Sequence, residues 1–133
     1  MVEEVEIFVE TDLNPTENEE KVRLAINNVL SGATYTLAPA QRGSTLIAHA
    51  SGRDCLIKLR NLVRNDRIRD AARKLLLKKV HTNTLSFYLN KQVAYVGHIS
   101  FSEETAESPL GPLHFTIKTP NPQQLIEWLA EKT

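Results

Sequence analysis

The chain has 133 residues, sixteen basic and sixteen acidic side chains, an apolar fraction of 41% and a single cysteine, Cys55. Those values fit a folded domain and exclude a disordered or fibrous chain, and a lone thiol excludes an internal disulfide framework. The net charge of zero is segregated: residues 1–20 hold eight acids and no base, whereas Arg53 to Lys79 holds ten bases against Asp54, Asp66 and Asp70, a local +7.

A chain of this length fits one domain over residues 1–133 with one core. The thiol suits a reducing compartment, so a cytoplasmic location is expected. No apolar run approaches the roughly 20 residues needed to span a bilayer, and the start lacks a signal-peptide pattern, so no membrane role is expected.

In chain order, Val5, Ile7 and Val9 alternate with Glu4, Glu6, Phe8 and Glu10, which predicts a strand with one solvated face. Thr16 with Glu19 reads as a capping box before a helix carrying Val22, Ala25, Ile26, Val29 and Leu30, stopped by Gly32. Thr34 to Leu37 and Thr45 to Ala50 predict a hairpin. Ser51 and Asp54 offer a second capping pair ahead of a helix with Leu56, Leu59 and Val63 inward, ending near Asn65. A further helix from about Asp66 to Val80 turns Ile68, Ala71, Ala72, Leu75 and Leu76 to one side. Leu85, Phe87 and Leu89 predict a strand that Tyr95, Gly97, Ile99 and Phe101 continue after a turn or bulge at Asn90, Lys91 and Gln92. A polar loop over 102–112 precedes a strand with Leu113, Phe115 and Ile117. Asn121, Pro122 and Gln124 then start a helix that buries Leu125, Trp128 and Leu129. Adjacent strand pairs point to an α+β fold, a mainly antiparallel sheet with helices packed on one face.

The helix after Asp66 carries the most chemistry. Arg69 and Arg73 flank its apolar stripe on one edge, and Arg67, Lys74 and Lys78 line the other. Guanidinium groups hold two phosphate oxygens at once and Lys adds a mobile charge, so this edge suits a phosphate ladder. The plainer reading is a solvated face on which Asp70 pairs with Arg73 and Lys74 for about 0.2 to 0.5 kcal/mol each.

The histidines His49, His81, His98 and His114 lack metal-ligand spacing, although His98 and His114 both fall on expected strands that pairing could bring together. Cys55 falls within an apolar helical pattern and reads as a buried small side chain. Glycines form neither a phosphate loop nor a dinucleotide fingerprint, so no metal or cofactor is expected. Tyr88 is out of phase with Leu85, Phe87 and Leu89 and is the aromatic expected to face outward, where it could stack on bases.

Asn14 to Glu17, the segment RIRDAAR over 67–73, NKQVAYVGHISF over 90–101, SPLGP over 108–112 and Trp128 to Ala130 together resemble an uncharacterised archaeal protein family. That family is similar to predicted archaeal RNA-binding proteins proposed to associate with the exosome. The resemblance implies a fold like that of a large-subunit ribosomal protein, and RNA as the partner. Its most specific part is the polar cluster Asn90, Lys91 and Gln92, which core packing does not explain.

The resulting expectation is a non-enzymatic RNA-binding protein. Arg67, Arg73, Lys74 and Lys78 contact phosphates, Asn90, Lys91 and Gln92 lie near the same surface, and no preference for DNA is inferable. The alternative is an interaction protein, a homodimer among its forms, in which a basic helix meets the acidic first strand of another copy. A third reading, an enzyme acting on RNA, needs Asp70, His98 and Lys91 to converge in a cleft.

Overall fold

The period-2 alternation at the start produces β1 (Glu6–Leu13), with Ile7, Val9 and Thr11 buried and the residues between them partly or fully exposed. The computed structural model describes residues 4–41, 43–102 and 111–131. Helix α1 (Glu19–Asn27) follows, then β2 (Thr34–Pro39) and β3 (Ser44–Ser51), paired as the expected antiparallel hairpin. A 3-10 turn over Arg53–Leu56 leads into α2 (Ile57–Asn65), and α3 (Arg69–Leu77) comes next. The remaining elements are β4 (Val80–His81), β5 (Thr84–Asn90), α4 (Lys91–Tyr95), β6 (Phe101–Ser102), β7 (Pro112–Lys118) and α5 (Pro122–Leu129).

Among the described residues the strands form one antiparallel sheet in the order β2-β3-β1-β7-β5-β4, with β6 beside β5. The register aligns Ile7 with Ala50 and Ile117, and Phe87 with Phe115, so one face carries the apolar set. The inward stripes of α1, α2, α3 and α5 join that face in one buried cluster, with Ile26, Leu30, Leu59, Leu76 and Ile126 at its centre. The fold is therefore the expected α+β class. The opposite face carries Glu6, Phe8, His49, Tyr88 and His114, so Tyr88 does point away from the core. No helix among the described residues is long and apolar enough to cross a membrane.

Several local expectations are corrected, among them the helix expected from about Asp66 to Val80, which is α3 (Arg69–Leu77) with Val80 already in β4. Helix α1 is capped by Asn18, whose Oδ1 accepts from the amides of Glu20 (2.8 Å) and Lys21 (3.4 Å), not by Thr16. Asn14 to Glu17 closes its own turn instead, through Glu17 N to Asn14 O at 2.9 Å. Ser51 is the last residue of β3 and donates its hydroxyl to Glu6, so it forms no cap for the 3-10 turn, which Gly52 precedes. Asn90 to Gln92 is neither turn nor bulge but the start of α4, so Tyr95, Gly97 and Ile99 do not extend β5. Ala71 is exposed on α3 and Trp128 is only partly buried. The polar loop, including 103–110, lies outside the described residues except at its ends.

Candidate nucleic-acid interface

Helix α2 ends in a tight double hydrogen bond. The amide of Arg67 donates to Arg64 O at 3.1 Å, and that of Ile68 donates to Val63 O at 3.2 Å. This pattern places residue 67 in the left-handed conformation, where glycine is favoured because it has no Cβ. Arg67 occupies it with φ of +57°. The reward for closing the motif is apolar: Ile68 and Val63 both join the core. The cost of a β-carbon at such a φ is of order 1 kcal/mol.

That turn sets Arg67 beside Arg64, in the last turn of α2, and Arg69, in the first turn of α3. The three surround an open depression of about 620 Å³, with Ile68, Asp70 and Ala71 completing its lining. Lys74 and Lys78 continue along the exposed side of α3. Arg64, Arg67, Lys74 and Lys78 are exposed and Arg69 is partly exposed, and none of the five makes an ion pair among the described residues. Arg64 was not singled out by sequence reasoning. Its signal was its place three residues before Arg67, which matters only once the turn brings α2 and α3 end to end.

Arg73 is engaged elsewhere. Its Nη1 donates to Ala130 O at 2.9 Å, and its Nη2 meets Asp70 Oδ1 at 2.6 Å, with the side chain only 18% exposed. The first bond satisfies a carbonyl at the end of α5 and ties α3 to it. The pair with Asp70 is one of the two that the plainer sequence reading anticipated; Lys74 makes none among the described residues.

The polar cluster at the end of β5 is split by its backbone. Asn90 caps α4, its Oδ1 accepting from Val93 N at 3.0 Å. Gln92 is exposed. Lys91 is buried, at 4% exposure, and its Nζ donates to Asp12 O at 2.8 Å and pairs with Glu17 at 3.1 Å. Burial pulls the Lys91 ammonium below its ordinary pKa, against the opposing pull of Glu17 and Asp12. Lys91 therefore joins β1, the turn before α1, and α4 from the inside.

The two regions do meet at one point. His98, just past α4, contacts Asp66 through Nδ1 and Oδ1 at 3.2 Å, and the amide of Ile99 donates to Asp66 Oδ2 at 3.1 Å. Asp66 immediately precedes Arg67, so the end of α4 abuts the basic turn.

Asp70, His98 and Lys91 do not converge: each is engaged with a different partner. His98 is not on a strand and does not pair with His114, which bonds Ser86 at 2.8 Å and stacks on Tyr88 at 4.4 Å. His49 stacks on Phe8 at 4.8 Å. Cys55 Sγ donates to Ser51 O at 3.2 Å from the 3-10 turn. Among the described residues no group of three His, Cys, Asp or Glu side chains could hold a metal ion.

Comparison with known proteins adds a family. A family model described as RNA binding matches residues 6–119. A UPF0201 protein of Pyrobaculum calidifontis is 45% identical over 130 residues, which covers 97% of this chain and 90% of the relative. The crystal structure of a UPF0201 protein from Methanococcus jannaschii superposes with a TM-score of 0.83 at 30% identity, covering 96% of this chain and 94% of that one. The DUF54 protein of Methanothermobacter thermautotrophicus shares the fold, with a TM-score of 0.61 at 20% identity and 94% of each chain covered.

Proposed function

The chain belongs to the archaeal UPF0201 family and, over most of its length, to the family described as RNA binding; from that premise we propose that it binds RNA without catalysing a reaction on it, holding phosphates at the junction of α2 and α3. Arg64, Arg67 and Arg69 grip the backbone around the depression, and Lys74 and Lys78 extend the track along α3. The observation that carries this reading is Arg67 itself. A glycine would fit its left-handed turn at lower cost, and the arginine that stands there instead lines the depression together with Arg64 and Arg69. Such strain is retained where a side chain has work to do.

Within this reading Arg73 serves as a clamp on α5, and Lys91 as an internal strut, so neither is a phosphate contact. Asn90 acts through the start of α4, and Gln92 remains at the surface. The likeness to a large-subunit ribosomal protein and the association with the exosome, both implied by the sequence resemblance, would make structured RNA the partner. The self-association alternative has less to work with, because Glu6 of the acidic strand is already engaged by Ser51 and His49.

The test is fluorescence anisotropy with labelled single-stranded and hairpin RNA across a salt series. The variant replaces Arg64, Arg67, Lys74 and Lys78 with Gln. Circular dichroism should report an intact fold, since these side chains lie off the apolar stripes. Each lost phosphate contact flattens the slope of log affinity against log salt by about 0.7 on single strands, so four should remove nearly 3 units. An unaltered affinity and slope would refute the assignment.

A further inference from the structure

Among the described residues the sheet ends differently on its two sides. One side closes in β4, two residues long and preceded by Lys78 and Lys79. The other ends in β2, six residues long and hydrogen-bonded along one side only, to β3. Natural sheets blunt such an edge with charge, a bulge, proline or a covering element. Residues 31–41 carry no charged side chain, the pairing with β3 is continuous from Thr34 to Pro39, and Thr34, Thr36, Leu37 and Pro39 are exposed. Pro39 is the one guard, and it stands at the end of the strand.

The ladder fixes which backbone groups face outward. The amide of Ala40 donates to Gly43 O at 3.4 Å, in the register that sets Ala38 opposite Thr45 and Thr36 opposite Ile47. Bonding pairs alternate along an antiparallel ladder, so Thr34, Thr36 and Ala38 bond to β3, and the N–H and C=O of Tyr35 and Leu37 point away from the sheet. Pro39, which has no N–H, falls in the same outward set, where a strand proline is tolerated. On the helix side of this edge Leu37 is 45% exposed. Tyr35 beside it is fixed: its hydroxyl donates to Asn27 of α1, and the Arg23 guanidinium lies 4.8 Å from its ring centre.

We propose that β2 pairs antiparallel with β2 of a second copy of this chain, across a twofold axis at Thr36. Tyr35 of each copy then faces Leu37 of the other, and the outward groups of these residues exchange four N–H···O bonds. Each exposed Leu37 gains an aromatic neighbour on the helix side, and the two Thr36 side chains meet on the open face; both are favourable cross-strand pairs. A second copy is the occupant because the edge is its own complement. The two outward residues stand symmetrically about Thr36, and no charge over 31–41 repels at the axis. The adjoining flank of α1 is balanced as well, since Arg23 pairs with Glu19 at 2.8 Å. A partner strand of either charge finds no counter-charge here. One strand edge buries less than the roughly 1,200 Å² of a standard interface, so the pair is reversible. Both helix layers lie on one side of the joined sheet, which offers two α2–α3 tracks to one RNA, but the pairing does not depend on the RNA reading.

Sedimentation velocity from micromolar to millimolar protein, at low and high salt, tests this. The wild type should pass from monomer to dimer with the same midpoint at both salts, because no charge meets across the contact. Thr36→Lys and Thr36→Glu each set like charges opposite one another at the axis, and each should weaken the dimer by roughly 3- to 10-fold at low salt. Mixing the two variants should give a heterodimer. Thr36→Cys in a Cys55→Ser background should form a disulfide between copies, because the axis pair is a non-hydrogen-bonded one with Cα atoms about 4.5 Å apart. A wild type that stays monomeric at millimolar concentration, or that assembles beyond the dimer, would overturn the proposal. So would a dimer that Thr36→Lys leaves intact, a mixture that forms no heterodimer, or a dimer that salt dissolves, which would return association to the charged surfaces.

Discussion

Replacing Lys91 with Met removes the ammonium from one of the least accessible ion pairs among the described residues while keeping the length of the side chain. Glu17 is then left with a side chain 8% exposed and with only the Asn14 amide (3.0 Å) and side-chain nitrogen (2.7 Å) as donors. The carbonyl of Asp12 loses its 2.8 Å bond as well. Stripping one partner from a buried pair costs about 3 to 5 kcal/mol, because the surviving charge stays out of water. Against a total stability of roughly 5 to 15 kcal/mol this is a large fraction. Glu17→Gln added to Lys91→Met removes the stranded charge while keeping an acceptor for Asn14, so the double variant should regain about 2 kcal/mol over Lys91→Met alone. Urea denaturation reads both, with the dependence on denaturant unchanged. A cost below about 1 kcal/mol for Lys91→Met, or a double variant less stable than the single one, would refute the strut and return Lys91 to the surface.

Asn18→Ala should cost about 0.5 to 2 kcal/mol by uncapping α1, and Thr16→Ala should cost almost nothing, both by thermal or urea melts. Arg67→Gly should stabilise the chain by about 0.5 to 1 kcal/mol by relieving the left-handed turn, and should weaken RNA binding in the same sample. The Glu6 carboxyl should titrate below 4.5 by NMR, held down first by the Ser51 hydroxyl and further by His49, and Ser51→Ala should move it back up. Because the folded value is depressed, the stabilisation this group gives is present above 4.5 and is lost as the pH falls through its folded pKa.

The long strands β1, β3, β5 and β7 were legible because each alternates, and the buried face of β1, β5 and β7 follows from Ile7, Val9, Phe87 and Phe115, whereas the two-residue β4 takes in Val80, which the helical pattern had claimed. The basic helix was legible as composition, and its Asp70–Arg73 pair as a three-residue spacing. What escaped depends on distant partners. Thr16 and Asn18 are both competent caps, and Glu17, between them, is drawn to Lys91 74 residues away. Helix α4 is five residues long, too short to display a helical period, and Val93 and Tyr95 imitate a strand. Arg73 reaches Ala130 across 57 positions, a bond that no local pattern announces. The left-handed turn at Arg67 was hidden because its usual marker, glycine, is absent. Phe8 was correctly placed on the outer face of β1, but its stacking on His49 needed the β1–β3 register.

The central claim is that RNA lies along the α2–α3 junction. It is tested most directly by ultraviolet crosslinking of the protein to RNA in cells, followed by mass spectrometry of the crosslinked peptides. The account predicts recovered RNA, with crosslinks concentrated in the peptides that carry Arg64 to Lys78. RNA recovery no greater than in the sample without irradiation would contradict it, as would crosslinks confined to the face of the sheet that bears Phe8 and Tyr88.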